Sequence, residues 1–256
     1  MPAVPAATLY QWRAKYLKKM ALLRCPMLSH AAKEYRMLYL HAINRRLFET
    51  FLISDEKWFY IRTDRFGQLA KGIYLVDKWD KRRYVRVKQG KIRVQIWAGV
   101  SLEHGCTPPC LSMGNVKAVN YVKMLGDVVE PMFGDKLRSG EMIFQQDNAR
   151  IHTAACTQEA IMKWEWHSTK WPACSCDFSP VEFVWCLMCR EIESRYRPRT
   201  AAQLMWCIKK VWPRVTTPDI LQKCWNRAIS NMLRSYEDGG DNRYFKPCRS
   251  DLRVSI

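Results

Sequence analysis

Three acidic residues stand in settings that could support chemistry. Asp55 lies in I-S-D-E-K-W-F, Asp147 in I-F-Q-Q-D-N-A-R-I-H-T, and Glu182 in D-F-S-P-V-E-F-V-W. Between the first and second are 91 residues, and between the second and third 34. Carboxylates this far apart along a chain share chemistry only where a fold gathers them. Gathered, they would make an oxygen-ligand site for Mg2+ or Mn2+, hard cations that bind carboxylates, water and phosphate oxygens.

Each acid also has a plainer use. Ser179, Pro180 and Glu182 follow the capping-box pattern, in which a glutamate reaches back to the N–H of the capping residue. Asp147 and Asn148 suit a turn at a strand end. Glu56 adjoins Asp55, and strand alternation sends the two to opposite faces, so only one can enter a shared site. Arg150 and His152 sit beside Asp147 at a helix entrance, where they are placed either to meet a phosphodiester or to be ordinary surface groups. Asp64, Asp77 and Asp80 stand in polar, turn-like surroundings and read as solvated.

The elements that must position these groups follow from periodicity. Residues 8–24 set Leu9, Trp12, Tyr16 and Leu17 among basic residues, the pattern of a basic amphipathic helix. Cys25-Pro26 interrupts it, and a second helical stretch runs from about Ser29 to Phe48. Strand-like runs cover Phe51–Ile61, Gly72–Val76 and Lys91–Ser101. Helical spacing marks Val116–Phe133, a short strand Glu141–Gln146, a helix Thr153–Trp164, a short strand Trp166–Lys170 and a loop Trp171–Ser179. Val181–Tyr196 and roughly 200–235 are again helical, with Val181, Val184, Trp185 and Met188 on one apolar face. The tail from Gly239 reads as loose. This order predicts an α/β domain with a mixed sheet. Asp55 within one strand and Asp147 just past another place both acids where ligands gather in open α/β sheets.

The chain has 256 residues, enough for one large domain, and 42 basic against 24 acidic residues give a formal net charge of +18. Such a field favours a polyanion, whose condensed counterions are released on binding, and the expected partner is nucleic acid. The opening M-P-A-V-P-A-A-T has no basic run leading into an apolar one, so no secretory signal is read. The apolar runs fall short of the ~18–20 residues that span a bilayer. The 11 cysteines are therefore expected to be free thiols in a reducing compartment. His104, Cys106 and Cys110, like Cys186 and Cys189, lack a second matching half for a structural zinc.

The three blocks around Asp55, Asp147 and Glu182, with T-K-W-P-A-C-S-C leading into the last, resemble the signature blocks of DDE transposases of the mariner superfamily. The branch resembled is the one with 34 residues between its last two acids. The similarity spans roughly residues 26–235. It implies an RNase H-like fold: a mixed five-stranded sheet flanked by helices, with an N-terminal helical linker and C-terminal helices. It implies Asp55, Asp147 and Glu182 as catalytic residues and as ligands of two Mg2+ or Mn2+ ions. The implied activity is cleavage at terminal inverted repeats and joining of the freed 3′-OH to target DNA, with DNA ends and target as partners in a nuclear setting. Arg150, His152, Lys170, Arg13 and Lys15 are the expected backbone contacts. A homodimer is a further expectation, with no membrane partner and no small-molecule cofactor.

The blocks depart from the pattern at three places. Ile151 and Cys176 stand where proline is usual, and Ser179 stands where asparagine commonly precedes the P-x-E. Loss of a proline at Cys176 is expected to loosen the loop that delivers Glu182. Only 54 residues precede Asp55, where relatives of this kind carry two helix-turn-helix modules. The helix at Thr8–Lys19 resembles the last helix of the second module, and the chain reads as N-terminally truncated or as a gene model lacking its first exons. The expected organisation is a helical remnant and linker over 1–48, a catalytic domain over 49–235 and a tail over 236–256. Specific recognition of transposon ends is not expected. The competing reading is a catalytically idle, domesticated or degenerate nucleic-acid-binding protein.

Overall fold

Strand β1 (Phe51–Tyr60) runs through the middle of a mixed sheet in the computed structural model, which describes residues 28–60 and 93–242. β2 (Arg93–Ser101) pairs antiparallel with it, Ile53 opposite Val100 and Asp55 opposite Ala98. β5 (Ile143–Gln146) pairs parallel on its other side, Phe51 opposite Ile143. The short strands β3 (Gly105–Cys106) and β4 (Cys110–Ser112) both pair with β2, and β6 (Ser168–Lys170) pairs parallel with β5. The expected α/β architecture is borne out. Among the described residues the sheet has six strands, because the stretch after β2 folds back on it twice, as β3 and β4. The strand expected at 72–76 and the helix expected at 8–19 lie outside the described residues.

Alternation along β1 serves two helical layers. Phe51, Ile53 and Phe59 join one core with α6 (Pro180–Glu191), α7 (Ala201–Val215) and α8 (Pro218–Glu237). Leu52 joins the other core with Tyr121 of α3 (Ala118–Met124), Leu137 of α4 (Glu130–Ser139) and Ile161 of α5 (Ala155–Lys163). A π-helical turn at Leu125–Val129 links α3 to α4, so the expected helix over 116–133 runs on to Ser139. It stops where Gly140 takes the left-handed conformation (φ 77°) that glycine adopts at low cost. The helical stretch over 200–235 is two helices, because Thr216 and Thr217 break the periodicity and Pro218 starts a new helix at a position needing no N–H.

The N-terminal helices α1 (His30–Ala42) and α2 (Arg45–Glu49) belong to the same body. Phe48 is buried against Phe51 and Trp225, with ring centroids 5.6 and 6.2 Å away, and the Trp225 indole N–H donates to the Phe48 carbonyl. The boundary expected between residues 48 and 49 therefore falls inside a packed core. The start of the expected loose tail is also held: α8 runs to Glu237, Lys33 pairs with Asp241, and the Arg36 Nε donates to the Gly240 carbonyl. Gly240 has φ 87°, and a Cβ there would lie 2.4 Å from the Lys33 carbonyl oxygen, so that approach needs a glycine.

Arg36 is the centre of this tie. Its guanidinium is fully buried and makes a two-pronged pair with Asp177, at 2.9 and 2.7 Å. It also donates to Ser175 and Ser235 and lies over the Phe178 ring. A planar fork with five donors suits this convergence of acceptors, and a lysine ammonium would not. Asn231 of α8 donates to the Asp177 carbonyl. Eight described cysteines are free thiols, while Cys186 is disulfide-bonded, contrary to the expectation of free thiols throughout.

Candidate active site

Asp55 and Lys57 project from β1 toward α6. The indole N–H of Trp185 donates to Asp55 Oδ2 at 3.0 Å, and Lys57 Nζ lies 3.6 Å from Glu182 Oε2. Glu182 occupies the first turn of α6, one turn before Trp185, so a single helix carries both the third acid and the group that fixes the first. The capping-box use of Glu182 is not realised, since Ser179 makes no side-chain cap.

Burial, together with the neighbouring charges of Glu182 and Glu56, pushes the Asp55 carboxyl up to about 8. The Trp185 bond and the Glu56 N–H act in the opposite direction. Desolvation and like charge both disfavour the ionised form, and a cation among these acids would relieve both.

Asp147 follows β5 directly. Its Oδ1 accepts from the Ala149 N–H at 2.9 Å, an Asx turn, and lies 2.6 Å from His152 Nδ1. Burial alone would raise this carboxyl. The His152 bond, the Ala149 N–H and the imidazole charge outweigh it and hold Asp147 below the usual range. Burial also opposes the charge on His152, but its bonds to Asp147 and Glu56 raise it to about 9.

His152 therefore stands elsewhere than at a DNA-facing surface. It is buried, with Nε2 3.1 Å from Glu56 Oε1. Arg150 and Lys170 are exposed, as contacts with a phosphate backbone require. Arg13 and Lys15 lie outside the described residues.

Two groups at the site, Glu56 and Trp185, escaped the sequence, as did Arg36 behind the loop before α6. Glu56 carried a usable signal, for alternation sends it to the His152 side. Trp185 at three residues past Glu182 carried a weaker one, masked by its apolar neighbours. Arg36 carried none, because one arginine in a basic helix looks like any other.

The donor set suits a hard divalent cation: three carboxylates, of which Asp55 is desolvated and pressed by Glu182 and by the adjoining Glu56. Asp55, Asp147 and Glu182 are the residues that would hold it. As placed, no three His, Cys, Asp or Glu side chains among the described residues are gathered tightly enough to bind a metal ion. Asp147 is instead engaged by His152, and Glu182 lies beside Lys57.

Residues 64–205, more than half the chain, match the family model described as "DDE superfamily endonuclease". The chain belongs to the DDE superfamily endonucleases. The matched range contains Asp147 and Glu182 and begins after Asp55. Among individual proteins, this DDE endonuclease chain is 30% identical over 96 residues to the transposable element Tc3 transposase of Caenorhabditis elegans. That alignment covers 37% of this chain and 26% of the transposase.

Among solved structures, the chain is similar to the Mos1 mariner paired-end complex with Mn, with a TM-score of 0.68 at 16% identity over 94% of this chain and 74% of that one. It is also similar to the catalytic domain of Mos1 mariner transposase, with a TM-score of 0.64 at 15% identity over 88% of this chain and all of that one. These likenesses bear out the expected fold, and the relatives on both counts are transposases of the kind the sequence resembles.

Proposed function

We propose that this chain carries out metal-dependent cleavage and strand transfer of DNA. Asp55, Asp147 and Glu182 would hold two divalent cations. The observation that supports this most is the meeting of Asp55 with α6: a strand-borne acid fixed by Trp185 and placed near enough to Glu182 for their charges to interact. A strand and a helix start are stiff mounts, as metal ligation requires.

When bound, such a pair of ions would supply activation of a water or 3′-hydroxyl and stabilisation of the leaving oxygen in an in-line displacement at phosphorus. The chain's own residues then have positional work. Trp185 fixes the direction of Asp55, the turn at Asp147–Ala149 sets the second acid, and the first turn of α6 presents Glu182. Arg150 and Lys170 hold the DNA backbone through contacts that position without reading sequence. No protein nucleophile is required. The partners that follow are DNA ends and target DNA, and a homodimer and a nuclear location belong to the same proposal.

The test is nicking of supercoiled DNA by the purified chain with Mn2+, compared with the Asp147→Asn variant. We expect at least about a 100-fold slower reaction for the variant, because an amide neither neutralises nor binds the cation as a carboxylate does. Equal nicking by both would refute the enzyme reading. DNA binding without cleavage would favour the idle, nucleic-acid-binding reading instead.

A further inference from the structure

We infer that Glu56 and His152 form a positioning pair that aims Asp147. This inference rests on the proposal that Asp147 is a metal ligand. Glu56 points away from Asp55, into the layer of α3–α5, where it meets His152 at 3.1 Å. The other ring nitrogen of His152 reaches Asp147 at 2.6 Å. One imidazole thus connects a carboxylate on β1 with a carboxylate just beyond β5, two strands that are already neighbours.

The imidazole has little freedom. Its side chain is 1% exposed, while that of Asp147 is 53% exposed, so a buried ring holds an open carboxylate. The Tyr121 ring lies against it with centroids 4.6 Å apart, and the Tyr121 hydroxyl donates to Gln146, the residue before Asp147. The backbone at His152 is tied as well: Gln158 donates to its carbonyl, and its N–H donates to Ala149. Rotating the ring would break contacts with both acids, whereas the Asp147 carboxylate can turn on its outer side without disturbing the core.

Partners behind a metal ligand fix its orientation, and their loss typically lowers metal affinity 10–100-fold. A role in loop packing alone would alter stability and leave metal affinity unchanged. A role in phosphate contact would weaken DNA binding first.

The experiment is a Mn2+ titration of the purified chain, read by the EPR signal of free Mn2+, with DNA affinity measured in parallel without metal. His152→Ala and Glu56→Ala should each weaken Mn2+ binding by roughly 10-fold or more. His152→Asn keeps an N–H where Nδ1 stands, and Glu56→Gln keeps an acceptor for Nε2, so both should recover most of the affinity. DNA affinity should change little in all four.

Because a buried histidine variant can fail to fold, the unaltered chain supplies a second readout. On addition of Mg2+, the His152 ring resonances should shift and saturate together with metal binding. Unchanged Mn2+ affinity in the alanine variants, or ring resonances indifferent to Mg2+, would overturn the pair. Asp147→Asn separates this from failure of the site itself: if that variant binds Mn2+ as the unaltered chain does, or if the unaltered chain binds none, the ligand assignment falls and the pair falls with it.

Discussion

The Trp185 indole N–H and the Asp55 carboxylate meet at 3.0 Å across the interface of β1 and α6. Trp185 is fully buried, with the Trp212 ring centroid 5.7 Å away, so this donor cannot be replaced by water without a cavity. A hydrogen bond to a charged acceptor is worth roughly 1.5–3 kcal/mol.

Trp185→Phe should therefore cost about 1.5–3 kcal/mol in urea denaturation at a pH where Asp55 is ionised. The same change removes an influence that lowers the Asp55 carboxyl, so Mn2+ binding should reach half-saturation at a higher pH than in the unaltered chain. A Mn2+ titration repeated across pH checks the direction. A downward shift would contradict the geometry.

Arg36→Met should destabilise the fold by about 3–5 kcal/mol, since it leaves the buried Asp177 carboxylate without its partner. The loss should exceed that of any exposed arginine, such as Arg150. Chemical denaturation of the two variants side by side gives the comparison.

Without divalent metal, stability should decline as pH rises from about 4 to 9. Asp55 is raised from 3.8 to about 8, so between these values the folded chain keeps a proton that the unfolded chain has lost. His152 is raised from 6.5 to about 9, and its contribution is present below 6.5 and disappears as pH passes 9. Asp147 is lowered, so its contribution is lost only in acid. Melting temperatures across this range should fall on the alkaline side, and added Mg2+ should restore part of the loss near pH 8.

Arg150→Ala and Lys170→Ala should each weaken DNA binding about equally for all sequences and reduce the salt slope by about one phosphate contact. Filter binding at several salt concentrations gives the slopes. A variant whose slope is unchanged removes that residue from the interface.

The placements of the three acids were legible because they leave local patterns: a strand around Asp55, a strand end at Asp147 and a helix start at Glu182. The succession of strands and helices along the chain was legible in part, through strand alternation and helix spacing. The folding-back of the stretch after β2 was not, because β3 and β4 are two and three residues long and too short for a period to show. The order of the loop before Glu182 was misread for a different reason. Cys176 stands where the resembled pattern has a stiffening proline, yet Arg36 and Asn231 converge on that loop from distant parts of the chain. Long-range polar convergence leaves no trace in local spacing.

The alternation of β1 has a consequence for variation within the strand. Because Asp55 and Glu56 serve opposite layers, a single residue inserted just before Asp55 would exchange the audiences of two adjacent acids while leaving the charge unaltered. Trp185 would then face the inserted residue, and His152 would face Asp55. Composition-based comparison would register almost no difference between such a chain and its parent, yet the inserted copy should be silent.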